Sequence, residues 1–104
     1  MPLPEKRDHK IALPDAVELA RQHRKDHPGE PKAHFFHRAA FDDLLAQKGA
    51  QGIRIYRGKG KGGTHHLVMV AVDGSGTDMT ASSLIMEQCL PCPPFCAENS
   101  PLLA

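Results

Sequence analysis

No run of apolar residues in this 104-residue chain approaches the length of a membrane span; the longest covers only residues 67–72. A membrane-spanning helix is therefore not expected. The opening residues Met1, Pro2, Leu3, Pro4, Glu5 and Lys6 lack an apolar signal region, which makes a cytoplasmic location the default expectation. Cysteine is scarce: three residues, an odd number, arguing against a disulfide framework. Basic residues are missing from the second part of the chain. All 13 Lys and Arg fall within residues 1–61 together with eight of the 12 acids, while residues 62–104 hold the other four acids and no Lys or Arg. A net charge of +1 thus hides a split of +5 against −4. It is open to three readings: a basic face for an acidic partner or nucleic acid, head-to-tail contact between copies, or an uneven solvated surface.

What is present is organised around residues 52–73. Ile53, Arg54, Ile55, Tyr56 and Arg57 alternate apolar and polar, the period of a strand with one buried face. Residues 67–72 are apolar at every position, as in a strand buried on both faces. Between them, Gly58, Lys59, Gly60, Lys61, Gly62 and Gly63 form a loop too glycine-rich for helix or strand. The pattern predicts a β-hairpin, followed by a turn at residues 73–76.

Residues 1–13 read as an extended lead-in, with an edge strand expected near Lys10, Ile11 and Ala12. Pro14 in a first helical turn, with Asp15 and Glu18 at its positive end, predicts a helix to about Asp26. His27, Pro28 and Gly29 stop it. A second helix is expected from near Pro31 to Gly49, with Phe36, Ala40, Phe41, Leu44 and Leu45 on one stripe. Burying Phe36 and Phe41 there is worth roughly 1.5–3 kcal/mol each. Residues 83–87 predict a third strand beside 67–72, and the prolines from Pro91 onward keep the tail extended and off any central strand. The expected architecture is one α+β domain: a helix-helix-hairpin core over residues 14–88, with two helices on one face of an antiparallel sheet of about three strands, and a Pro/Cys-rich tail over residues 89–104.

Such a layer leaves the other face of the central strand bare. Tyr56, Val68, Val70, Val72 and, from the tail, Phe95 are the candidate interface residues, and a patch of that size marks an interaction surface. A homo-oligomer is the expected partnership.

Chemistry-bearing motifs are few. Cys89, Cys92 and Cys96 place three thiols on an extended segment; with His65 or His66 as fourth ligand they form a candidate zinc or iron site. The Cys-Leu-Pro-Cys order also invites a redox reading, but prolines deny the helix N-terminus that lowers a reactive thiol's pKa, and a Cys-Pro pair is weak support for haem ligation. The plain reading is a reduced, proline-stiffened tail whose Cys and Phe95 side chains fill a groove. The hairpin loop leads into a strand rather than a helix, against a phosphate loop. Arg54, Arg57, Lys59 and Lys61 are candidates for nonspecific backbone contact with nucleic acid, a partnership not expected. His23 with His27, and His34 with His37, have helical spacing but no carboxylate or Cys in register, and residues 73–78 lack the closing glutamate of a calcium loop. No Ser-His-Asp set is evident from sequence, and no enzyme is expected.

In these residues the chain resembles a family of small uncharacterised bacterial proteins of the kind common in Bacteroidota and some cyanobacteria. The resemblance spans about residues 14–102. It lies in Pro28-Gly29 before Lys32-Ala33-His34-Phe35-Phe36, in Gly52-Ile53-Arg54-Ile55-Tyr56, in residues 67–73 with Gly76 and Asp78, and in Pro91-Cys92-Pro93-Pro94-Phe95-Cys96. It implies cysteines kept at the positions of Cys92 and Cys96, and it carries no activity. The expected function is a non-enzymatic interaction or self-assembly module forming homo-oligomers or filaments. The alternative is a metal-binding or redox-responsive protein using the C-terminal cysteines.

Overall fold

The computed structural model describes residues 3–4 and 6–104. It is an α+β fold with two helices and two small antiparallel sheets. The chain forms two compact units, one built on Phe36–Cys89 and the other on Lys6–Phe35 with Leu90–Ala104.

The first unit holds helix α2 (Arg38–Leu45), strands β2 (Ala50–Lys59), β3 (His65–Asp73) and β4 (Ile85–Met86), and a 3-10 turn at Lys61–Gly63. Strand order is β2-β3-β4, antiparallel throughout, so the all-apolar strand is central as its composition demands. Arg54 faces Val70, Tyr56 faces Val68 and Ile53 faces Ala71, with an irregularity between Ala50 and Gly52. α2 packs on β2 and β3. Leu44, Met69 and Ala71 form the fully buried centre, ringed by Phe36, Ala40, Ile53, Leu84 and Met86 among others. Phe36 and Phe41 meet edge to face at 6.3 Å, the arrangement ring quadrupoles favour.

The second unit holds helix α1 (Leu13–Asp26), strands β1 (Ala33–Phe35) and β5 (Leu90–Cys92), and a 3-10 turn at Pro101–Leu103. β1 and β5 pair antiparallel. α1 packs against the Pro101–Leu103 turn, where Arg24 donates to the carbonyl of Leu102 at 2.6 Å and to that of Ala104. Cys92 and Cys96 form a disulfide across a tight turn that is also closed by Phe95 N–H donating to the Pro91 carbonyl at 2.9 Å.

Several expectations need correction. The second helix starts at Arg38 rather than near Pro31, because residues 33–35 are drawn into pairing with β5, and tertiary pairing outweighs local helix propensity. It ends at Leu45; Gly49 serves the following turn at φ 92°. Residues 10–12 form no edge strand. In the first unit α2 packs on the hairpin, and in the second α1 packs against the C-terminal turn. The tail residues Leu90–Cys92 are extended and off any central strand, pairing at the edge of a two-stranded sheet where Pro91 is tolerated. Val70 and Val72 are 3% and 4% exposed within the single chain, so neither is available as an interface residue.

With Leu44 at the centre of the first unit, Leu44→Ala should lower unfolding free energy by about 2–5 kcal/mol. Leu45→Ala, at a neighbouring exposed position, should cost under about 1 kcal/mol. Denaturant unfolding followed by circular dichroism reads both, and equal losses would place the core elsewhere.

Candidate functional site

In a strand, residues i and i+2 share a face, and cross-strand partners stand side by side on it. The β2–β3 register therefore puts Arg54 and Tyr56 on the same face as His66, Val68, Val70 and Val72. Two polar clusters gather there.

The first centres on Asp78, whose backbone bridges to Val72. Its carboxylate accepts from the Tyr56 hydroxyl and from the Arg54 guanidinium. Arg54 also donates to the Gly76 carbonyl at 3.2 Å. Segment 73–78 is held for this by Asp73, which accepts from the Ser75 N–H at 2.9 Å and the Thr77 N–H at 3.1 Å. It is a turn, as its sequence predicts. The Tyr56 hydrogen bond, followed by Arg54, holds the Asp78 carboxyl below its ordinary range, and the Asp78 carboxylate in turn holds the Tyr56 phenol above its own. Two long side chains are thereby tied down over the valine face, their apolar stems lying along it. Arg54 is engaged in this cluster.

The second cluster lies at the hairpin loop. His66 Nδ1 stands 2.5 Å from Glu87 Oε1, and His66 Nε2 stands 3.0 Å from Thr64 Oγ1. Glu87 reaches the imidazole because β4 delivers it beside β3: Met86 pairs with Met69, which puts Glu87 opposite Val68, diagonal to His66. A carboxylate at Nδ1 requires a proton there, which leaves Nε2 of the neutral ring as an acceptor for the threonine hydroxyl. Gly60 makes room for the pair. A Cβ at that position would meet Thr64 Oγ1 at 2.6 Å and His66 Nε2 at 2.8 Å, so only glycine fits.

The residues proposed for a metal are not assembled into a ligand set. Cys92 and Cys96 are joined to each other, which removes two of three thiolates and corrects the expectation of reduced cysteines. Cys89 lies outside that bond. His66 is taken by Glu87 and Thr64, and His65 sits opposite Lys59 on β3. Among the described residues no group of three His, Cys, Asp or Glu side chains could hold a metal ion. Of the interface candidates, Tyr56 and Phe95 are exposed and Val68 is half-buried. Thr64 and Glu87 were not singled out as site residues from sequence, and Asp78 entered only through the resemblance and the turn at residues 73–78. The available signal was alternation: Thr64 and His66 share a face, and residues 83–87 were expected beside β3.

A lowered carboxyl pKa adds stability that is present above the ordinary aspartate range and lost as pH falls through the folded value. A raised phenol pKa adds stability lost as pH rises through its folded value. Asp78→Asn should therefore return the Tyr56 phenol toward the ordinary tyrosine range. Alkaline titration followed by ultraviolet absorbance reads this cleanly, because Tyr56 is the only tyrosine. An unmoved titration would sink the assignment.

Comparison with known proteins supplies no relative: no protein-family model, no curated protein and no solved structure matches the chain.

Proposed function

We propose that this protein is an interaction module that assembles with copies of itself through the outer edge of β2. The observation that carries the reading is the form of that strand. β2 is ten residues long, lies at the edge of its sheet, and leaves Ile55 at 52% and Tyr56 at 46% exposed. The outer backbone groups of a long edge strand are what an added strand would pair with.

Charge favours a head-to-tail arrangement. Arg57 and Lys59 stand on the exposed end of β2, so two β2 edges meeting in parallel would bring like charges together. Residues 62–104, with four acids and no Lys or Arg, are complementary in charge. A contact between unlike surfaces closes into rings or continues as filaments.

A second reading is favoured by the Cys92–Cys96 disulfide: a redox-responsive tail, in which a dithiol reductant opens the turn that follows β5.

Light scattering at low salt should give a mass well above 11.3 kDa, falling as salt screens the charged contact. Ile55→Lys should bring the mass to that of one chain while circular dichroism stays unchanged. A wild-type mass of one chain at every concentration would end the assembly reading. For the second reading, dithiothreitol followed by alkylation should label Cys92 and Cys96 and change the assembly size. Labelling with no change in size would make the disulfide a static staple.

A further inference from the structure

We propose that Thr64 is a nucleophilic hydroxyl, activated by His66 and positioned through Glu87, and that it accepts the acyl group of small activated esters. Hydroxyl, imidazole and carboxylate stand in the serial order that acyl transfer requires, with the nucleophile on the base and the base on its orienter. The distances are 3.0 Å from Thr64 Oγ1 to His66 Nε2 and 2.5 Å from His66 Nδ1 to Glu87 Oε1. The first lies within the reach expected of a general base, and the second is a close contact between the base and its carboxylate.

Three further observations separate this from a loop tie. The Thr64 hydroxyl has one proton and two acceptors within reach, His66 Nε2 at 3.0 Å and the Lys61 carbonyl at 3.5 Å. Turned to Nε2, the closer of the two, the hydroxyl points at the base. Thr64 is exposed, and an incoming carbonyl carbon has access to Oγ1. The Gly60 backbone packs close against the pair, where an added Cβ would meet both tips. The site lies on an open loop, which suits a small acyl group with a good leaving group rather than a long or rigid substrate.

The reaction balances without a cofactor. Thr64 Oγ1 attacks the ester carbonyl carbon and its proton passes to His66 Nε2. The tetrahedral centre then collapses, the bond to the leaving oxygen breaks, and His66 returns the proton to that oxygen. Thr64 is left as an ester. Water attacks that ester with His66 again taking a proton, which is delivered to Thr64 Oγ1 as the acid departs. Glu87 holds the imidazole tautomer and stabilises the imidazolium at each stage.

The probe is p-nitrophenyl acetate with the full chain, following nitrophenolate release and locating the acetyl group by peptide mass spectrometry. Wild type should carry acetyl on Thr64 ahead of every lysine. Thr64→Val should lose that label and Thr64→Ser should keep it. His66→Gln should slow labelling at residue 64 by about 100-fold or more, the scale of general-base assistance. Glu87→Gln should slow it less, with partial recovery in Glu87→Asp, which a purely structural role would not produce. Acetyl found only on lysines of the wild type would overturn the proposal with no variant needed. So would equal labelling of residue 64 in the wild type and in a folded His66→Gln variant. Either result leaves the assembly mass untouched, so the two readings fail separately.

Discussion

The first unit is shaped by one requirement: β3 is apolar on both faces from Met69 to Val72, and all four residues are buried. A strand of that kind is stable only with neighbours at both edges and cover on both faces. β2 supplies one edge over nearly its whole length and β4 supplies two pairs on the other. α2 covers the Met69 and Ala71 face with Leu44. The remaining face carries Arg54, Tyr56 and Asp78. Exposed ion pairs contribute little net stability, so burial of the β3 side chains drives this arrangement and the polar cluster directs where the covering groups lie.

How far this was legible follows from which contacts are local. The hairpin, the central position of residues 67–72 and the strand near Ile85 are all written in periodicity and glycine placement, and all are present. The start of α2 was misplaced because Phe36, Ala40 and Leu44 keep helical spacing whether or not the residues before them are helical. Only pairing with β5, far along the chain, makes residues 33–35 a strand. Cys92 and Cys96 were read through the parity of the cysteine count, whereas a disulfide depends on two Cα atoms coming within reach, here 4.7 Å. Glu87 and His66 are twenty-one residues apart, and nothing local to either announces the other.

The expectation of a bare sheet face failed for a related reason. Arg54 and Tyr56 look like the solvent side of a half-buried strand when only charge and polarity are counted. Both are long, largely apolar up to their tips, and both tips find the same carboxylate. A surface assigned to solvent by pattern thus becomes part of the cover over Val68 and Val70. The case for a neighbouring copy moves from the face to the strand edge, where backbone groups rather than side chains set the demand.

The two polar clusters on this face differ in what their bonding leaves available. Asp78 is an acceptor whose two donors are both anchored on β2, and Arg54 is further held by the Gly76 carbonyl. Moving any member breaks bonds at the others, so that cluster is fixed and its pKa shifts record mutual stabilisation. The Thr64 hydroxyl has its nearest partner in the imidazole nitrogen, with the Lys61 carbonyl farther off, and it lies on an exposed loop rather than in a strand. A proton lost from Asp78's donors has no acceptor that is not already engaged. A proton leaving Thr64 has His66 waiting, with Glu87 behind it to hold the resulting charge. Similar groups, placed on one sheet face, are thus locked in one cluster and poised for transfer in the other.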